Sequence, residues 1–238
     1  MKEAGDACLE LGMKKPLIVT DADLAELPPV AHTKQALESA GLSYELFARV
    51  RANPDGEVVS EGVEAYKAAG CDGVLALGGG SPLDAGKAIA LMVGQTRPLF
   101  DFVDEGDNYK RVNTDGVAPI VAIPTTAGTG SEVGRASIIT NSTSKLKLII
   151  FHPLMLPGRV IADPELTAGM PAKLTAATGM DALTHLVEAY VAKGYPPMCD
   201  GIALEGIRLV QESLQLCVDY ASNGEGSTDQ HLAARSWM

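Results

Sequence analysis

Short apolar runs alternate with stretches of helical periodicity over the first 163 residues of the chain. In the helical stretches, apolar residues recur at the spacing of one helix face. The apolar runs are the expected strands, and they cover residues 17–19, 44–47, 73–77, 117–123, 146–151 and 159–162. The expected helices cover residues 2–12, 28–40, 57–69 and 82–92, and glycines follow the second and third of them. Short strands that alternate with such helices are typical of a parallel sheet covered on both faces.

The pattern changes at residue 164, after which no apolar run predicts a strand. Residues 171–192 and 197–221 are long helical stretches, and a polar loop over 222–227 precedes a last helix. We therefore expect an α/β domain over residues 1–163 and an all-α domain over residues 164–238.

Composition and charge narrow the classes of partner. Of the 238 residues, 46% are hydrophobic, and the formal net charge of −11 argues against a nucleic-acid polymer or an anionic membrane surface as a partner. No apolar run approaches the ~18 residues that span a bilayer, and the N-terminus shows no signal peptide. The four cysteines form no C-x-x-C pair, which predicts reduced thiols in a cytoplasmic protein.

Three consecutive glycines, residues 78–80, follow the expected strand 73–77 and precede a helix. We expect Ser81 to be the N-cap of that helix, Pro82 to lie in its first turn, and Asp84 to complete a capping box. Glycines allow backbone N–H groups to approach an anion, and a helix N-terminus favours negative charge, so the segment suits a pyrophosphate. It matches neither G-x-G-x-x-G nor the P-loop pattern, and the alternative is a tight turn without a ligand.

Two further strand ends carry polar residues. Asp21 follows the strand 17–19, where a carboxylate can bind ribose hydroxyls or can cap a helix or turn. The loop 124–132 follows the strand 117–123 and is rich in hydroxyls and small residues. Such a loop can line a nucleotide cleft at the carboxyl ends of the strands, or it can cap a helix at Ser131. The residues alone leave both alternatives open.

Asp181 and His185 are four residues apart in the expected helix 171–192, so they share one face. A carboxylate and an imidazole among apolar neighbours can be two ligands of a divalent cation. The alternative is a surface pair, or a buried pair that is hydrogen-bonded to the backbone. The residues alone favour that alternative, because D-x-x-x-H is short and common.

Together these segments resemble the iron-containing (group III) alcohol dehydrogenase family. The resemblance rests on Gly78, Gly79, Gly80 and Ser81 followed by Asp84 and Lys87, on the segment 124–133, and above all on the segment 160–188. It implies a Rossmann-like dinucleotide-binding domain over residues 1–163, followed by an incomplete helical metal- and substrate-binding domain over residues 164–238.

The resemblance also implies roles for individual residues. Asp21 matches the residue that contacts the adenosine ribose, which favours NAD over NADP. The other implied cofactor-binding residues are Gly79, Gly80, Ser81 and Asp84 at the pyrophosphate, Thr125, Thr126 and Thr129 in the nucleotide cleft, and Lys147 on the nicotinamide-ribose side. Asp181 and His185 match the first two ligands of a catalytic metal, usually Fe²⁺ and in some relatives Zn²⁺. The implied reaction is hydride transfer between NAD and a small alcohol or aldehyde.

The chain departs from the family at both ends. The further metal ligands of the family are histidines beyond residue 238, and His231 matches neither of them. We therefore expect a truncated chain that is inactive or poorly active alone. A homodimer is one expected assembly. The alternative function is NAD binding without catalysis. A more distant alternative is a glycerol dehydrogenase or a dehydroquinate synthase of the same architecture.

Overall fold

The computed structural model describes residues 1–194 and 196–223. These residues form two compact units. The first unit contains Met1–Pro124 and Ser131–Ile161, and the second contains Thr125–Gly130 and the described residues from Ala162 onward. The division into domains 1–163 and 164–238 stays a prediction, and the compact units differ from it mainly in the placement of the loop Thr125–Gly130.

Strands and helices alternate through the first unit, and helices alone make up most of the second. The strands are β1 Pro16–Asp21, β2 Glu45–Val50, β3 Gly73–Gly78, β4 Ile120–Pro124, β5 Ala136–Thr140, β6 Lys147–Phe151 and β7 Arg159–Val160. The α-helices are α1 Ala4–Glu10, α2 Ala22–Ala25, α3 Pro28–Ser39, α4 Gly56–Ala69, α5 Gly80–Met92, α6 Ala172–Val191 and α7 Pro197–Asn223. Short 3-10 helices cover Leu99–Phe102, Asn108–Arg111, Thr114–Gly116, Ser131–Val133, Pro153–Met155 and Pro164–Thr167.

The main sheet of the first unit is parallel and has the strand order β2-β1-β3-β4-β7. The chain passes from β1 outward to β2 and then returns to the other side of β1, so the direction of winding reverses between β1 and β3. In open α/β sheets, ligands bind at such a switch point, outside the carboxyl ends of the strands. The predicted α/β fold with a parallel sheet is confirmed.

The strand predicted over 146–151 is present as β6, but it is not part of the parallel sheet. It pairs antiparallel with β5, which the sequence analysis missed, and the two strands form a separate hairpin. In β5, Ile139 is buried and Ile138 is 48% exposed. This alternation leaves β5 without the continuous apolar run by which the buried strands were predicted.

Helix α5 forms much of the core of the first unit. Nine of its residues are buried, including Ala85, Ala88, Ile89 and Leu91. Gly86 permits the close approach of α5 to the sheet, because a Cβ at this position would lie 2.6 Å from the Cβ of Ala76 in β3. The carboxyl end of β3, where the glycine loop begins, is therefore held directly against this helix.

Helices α6 and α7 pack against each other in the second unit. Gly179 of α6 lies against Leu214 of α7, and Leu186 of α6 lies against Gly206 of α7. The contacts run in opposite directions along the two helices, so the pair is antiparallel. Both helices were predicted, whereas the predicted last helix and His231 lie outside the described residues. None of the helices described is long and apolar enough to cross a membrane.

Candidate functional site

The glycine loop joins the buried strand β3 to the N-terminus of α5. The N-cap of α5 is Gly79, so the prediction that Ser81 is the cap is wrong. The helix begins earlier because Gly79 already has the extended conformation that an N-cap residue adopts, with φ −75° and ψ −167°. Since the cap is a glycine, no cap side chain accepts a hydrogen bond from the first-turn N–H groups, and these groups suit an anion.

Gly78 is the residue whose backbone requires glycine. Its φ is +144°, a value that other residues rarely adopt. A Cβ at Gly78 would also lie 2.6 Å from Cγ of Pro82, in the first turn of α5. The turn from β3 into α5 thus depends on the absence of a side chain at this position.

Asp21 ends β1, on the strand that neighbours β3. Val19 of β1 pairs with Ala76 of β3, and Asp21 and Gly78 each lie two residues further along their strands. The two residues therefore end neighbouring strands at the same edge of the sheet. The Asp21 carboxylate accepts a hydrogen bond from the Leu24 amide at 2.7 Å and caps α2. Asp21 therefore caps a helix, which was one of the two predicted alternatives, and its contact with a ribose stays a prediction. A carboxylate has a second oxygen and can accept further hydrogen bonds.

Asp84 does not form the predicted capping box, because α5 begins at Gly80 and Asp84 lies beyond the first turn. Its carboxylate accepts hydrogen bonds from the Ser131 hydroxyl at 2.5 Å and from the Ile138 amide at 3.0 Å. It also lies 3.2 Å from Nζ of Lys87. Its predicted contact with the cofactor stays a prediction, but its observed partners are internal.

Lys87 was noted in the sequence only as part of the family resemblance, and the structure gives it a role in the interior. Its side chain is 1% exposed. Its ammonium group donates to the carbonyls of Ser131 at 2.8 Å and Gly134 at 3.5 Å, and also to that of Ala136. Burial lowers the pKa of Lys87, and the charge of Asp84 opposes that shift. A lysine three residues after an aspartate in an otherwise apolar helix is the signal that could have revealed this pair.

Lys147 is the first residue of β6 and lies opposite Thr140 in the hairpin. Its side chain is exposed. Lys147, the lysine predicted to lie on the nicotinamide-ribose side, therefore belongs to the first unit. Asp21 and the glycine loop belong to the same unit.

The loop Thr125–Gly130 packs against α6 within the second unit. Gly128 has φ +151°, and a Cβ there would lie 2.3 Å from the carbonyl oxygen of Thr178. Ala127 joins the apolar cluster to which Leu183 of α6 contributes. Of the predicted cleft residues Thr125, Thr126 and Thr129, the first is buried, and the second has a buried hydroxyl without a hydrogen-bond partner. An unpaired buried hydroxyl is consistent with a polar ligand at this loop.

Asp181 and His185 lie on one face of α6, with Nε2 of His185 3.6 Å from Oδ2 of Asp181. Their side chains are 48% and 54% exposed, so both are accessible to a metal ion. Within residues 1–194 and 196–223, no group of three or more His, Cys, Asp or Glu side chains could hold a metal. The pair offers one oxygen and one nitrogen donor, which suit a first-row divalent cation. Their assignment as metal ligands stays a prediction.

Two family models match the sequence. One, described as iron-containing alcohol dehydrogenase, matches residues 1–164, and the other, described as the C-terminal part of the Fe-containing alcohol dehydrogenase family, matches residues 175–236. The chain belongs to the iron-containing alcohol dehydrogenase family. These matches confirm the resemblance inferred from the motifs. They favour the iron-containing branch over the glycerol dehydrogenase alternative.

Known members of the iron-containing alcohol dehydrogenase family resemble the chain over most of its length. The NAD-dependent methanol dehydrogenase of Bacillus methanolicus is 40% identical over 227 residues, which are 94% of this chain and 57% of that protein. The 1,3-propanediol dehydrogenase of Citrobacter freundii is 41% identical over 225 residues, 92% of this chain and 56% of that protein. A crystal structure of a 1,3-propanediol oxidoreductase superimposes with a TM-score of 0.89 at 38% identity, covering 99% of this chain and 60% of that one. The chain therefore spans little more than half the length of these relatives.

Proposed function

We propose that the chain binds NAD and contributes to a metal-dependent alcohol dehydrogenase that transfers hydride between NAD and a small alcohol or aldehyde. The observation that carries this proposal is the glycine loop at the end of β3, beside the switch point of a parallel sheet. Membership of the iron-containing alcohol dehydrogenase family supports the reaction class. The name of the methanol dehydrogenase from Bacillus methanolicus supports NAD as the cofactor.

The chain's own groups account for recognition of NAD. The backbone N–H groups of Gly80 and Ser81, in the first turn of α5, bind the pyrophosphate without basic side chains, which is compatible with the acidic charge of the chain. Asp21 accepts hydrogen bonds from the adenosine ribose and repels a 2′-phosphate. Lys147 binds on the nicotinamide-ribose side, and Thr125, Thr126 and Thr129 line the nucleotide cleft.

Asp181 and His185 hold the divalent cation, Fe²⁺ or Zn²⁺, in this proposal. When bound, the cation supplies a Lewis acid that lowers the pKa of the alcohol hydroxyl and polarises the aldehyde carbonyl. The half-exposed pair would offer the ion one oxygen and one nitrogen donor, and further ligands and the substrate would complete its coordination. The hydride chemistry belongs to the nicotinamide.

Titration of the full chain with NADH and NADPH tests cofactor recognition. NADH is expected to bind, followed by its fluorescence, and NADPH is expected to bind at least about tenfold more weakly because Asp21 repels the 2′-phosphate. Replacing Asp21 with asparagine is expected to narrow this difference. Equal affinities in the unaltered chain would contradict the proposed role of Asp21, and no binding of either nucleotide would contradict the proposed function.

The metal pair is tested by equilibrium dialysis against Zn²⁺ or Fe²⁺. Replacing His185 with glutamine removes the imidazole nitrogen, and replacing Asp181 with asparagine removes the negative charge of the carboxylate. We expect each change to weaken metal binding by at least about tenfold. His32→Gln is the matched control, because His32 is exposed on α3 in the other unit. Equal metal binding by the His185→Gln variant and the control would contradict the assignment.

A second candidate function is NAD binding without turnover by the 238-residue chain. The observation that favours it is that, within residues 1–194 and 196–223, the Asp181–His185 pair is not joined by a third metal-ligating side chain. This function is tested in an assay with NAD, added Fe²⁺ or Zn²⁺, and methanol, 1,3-propanediol or 4-hydroxybutyrate as the alcohol. If the chain only binds NAD, no NADH forms, although NAD stabilises the protein against unfolding. NADH formation at the rate of a full-length relative would contradict it.

A further inference from the structure

The Asp84–Lys87 pair in α5 is a charged cluster whose function the proposed reaction leaves open. Lys87 is among the largest fully buried side chains of the described residues, and its Nζ lies 3.2 Å from Oδ1 of Asp84. Burying an ammonium group is costly unless it is paired and hydrogen-bonded. Since an apolar residue could fill the same volume, this pair calls for an explanation beyond packing.

The partners of the pair all belong to one segment of the chain. Lys87 donates to carbonyls of Ser131, Gly134 and Ala136. The side chain of Asp84 accepts from Ser131 and Ile138, and its backbone carbonyl accepts from the Ser137 hydroxyl at 2.8 Å. The segment 131–138 leads into β5 and therefore carries the β5–β6 hairpin. The ion pair thus attaches the hairpin to α5.

Both connected elements carry predicted cofactor residues of the first unit. The glycine loop and the first turn of α5 are the segment predicted to bind the pyrophosphate, and we call this segment the pyrophosphate loop. Lys87 lies seven residues beyond Gly80, roughly 10 Å along the helix. Lys147 begins β6, and Thr140 of β5 is its partner. The polar cluster is therefore one of the attachments between Lys147 and the pyrophosphate loop. The hairpin is also held by the hydrogen bonds from the Thr140 amide to the Pro54 carbonyl and from the Asp104 amide to the Ile149 carbonyl, both at 2.8 Å.

We propose that Asp84 and Lys87 are positioning residues, which fix the hairpin bearing Lys147 at a set distance from the pyrophosphate loop and so determine affinity for the nicotinamide half of NAD. The proposal rests on the proposed function, since it assumes that both elements bind NAD. It gives Asp84 an indirect role in place of the direct contact that the family resemblance implies. ADP reaches the pyrophosphate loop but lacks the nicotinamide ribose, so its affinity does not depend on the hairpin.

Calorimetric titration of the full chain with NADH and with ADP tests this role. The isosteric change Asp84→Asn is expected to weaken NADH binding about tenfold while ADP binding changes less than twofold, and Lys87→Met is expected to act in the same direction. Lys67→Met, at an exposed lysine of α4, is the control and leaves both affinities unchanged. In a Lys147→Met background, Asp84→Asn is expected to cause no further loss of NADH affinity. An equal loss for both ligands, no loss, or full additivity with Lys147→Met would overturn the proposal.

A measurement without ligand tests the anchoring itself. Amide hydrogen exchange in Lys147–Phe151 is expected to be at least about tenfold faster in Asp84→Asn than in the unaltered chain, with exchange in β1 unchanged. Unchanged exchange in the hairpin would overturn the proposal even if neither nucleotide bound. If the unaltered chain fails to bind NADH while the hairpin is loosened as expected, the proposed function fails and the anchoring role of the pair stands.

Discussion

Replacing Gly86 with alanine is expected to lower the free energy of unfolding by about 1–3 kcal/mol. Alanine is intrinsically the better helix former, by up to about 1 kcal/mol, so propensity alone predicts the opposite sign. The steric term is the larger one, because the new Cβ would lie 2.6 Å from the Cβ of Ala76. Ala76 cannot move aside, since its strand is paired on both edges, with Val19 in β1 and Ala122 in β4.

Urea unfolding measures this effect, and the reciprocal change supplies the rescue. Adding Ala76→Gly to Gly86→Ala removes the methyl group that clashes and is expected to recover part of the lost stability. Gly201→Ala in α7 is the control, because no atom of the described residues outside the α7 backbone lies within 4 Å of the added Cβ, and it is expected to be neutral or stabilising. A Gly86→Ala variant as stable as the unaltered chain would show that α5 can shift away from the sheet.

Sequence periodicity predicted the elements whose burial is continuous or one-sided over a long stretch. The strand β3 is buried at every residue and was visible as an apolar run, and α4 ends as predicted at Gly70, with φ +66°. The strand β5 was missed because its residues alternate between buried and exposed, with Ile139 buried and Ile138 48% exposed, so that it has no continuous apolar run. The start of α5 was misplaced because both Gly79 and Ser81 are suitable N-cap residues, and only the backbone conformation distinguishes them.

The candidate site could be predicted where it depends on spacing along one element. Asp181 and His185 were expected on one face of a helix, and the 3.6 Å between their side chains agrees with this. Contacts between distant segments could not be predicted. The hydrogen bonds from Lys87 to Ser131 and Ala136 span more than forty residues, and local periodicity contains no information about such a contact.

Replacing Gly78 with alanine is expected to weaken NADH binding by at least about tenfold, although the sheet that supports the loop stays folded. Two physical effects act together. A backbone at φ +144° is strained for any residue with a Cβ, at a cost of roughly 1–3 kcal/mol, and the new Cβ would lie 2.6 Å from Cγ of Pro82. The loop can relieve this only by changing its backbone or by displacing Pro82. Either response moves the N–H groups at the start of α5 away from the positions that suit a pyrophosphate.

Gly70→Ala separates backbone strain from loss of the phosphate site. Gly70 also has a positive φ, +66°, but apart from its chain neighbours no atom in the part of the chain that the structure describes lies within 4 Å of an added Cβ. It lies at the end of α4, away from the glycine loop. We expect Gly70→Ala to lower stability by about 1–2 kcal/mol and to leave NADH affinity unchanged. Comparing fluorescence titrations of the two variants at a temperature where both are folded isolates the effect on binding. If Gly78→Ala bound NADH as tightly as Gly70→Ala, the pyrophosphate could not be bound by the first turn of α5, and the cofactor assignment would have to move to another strand end.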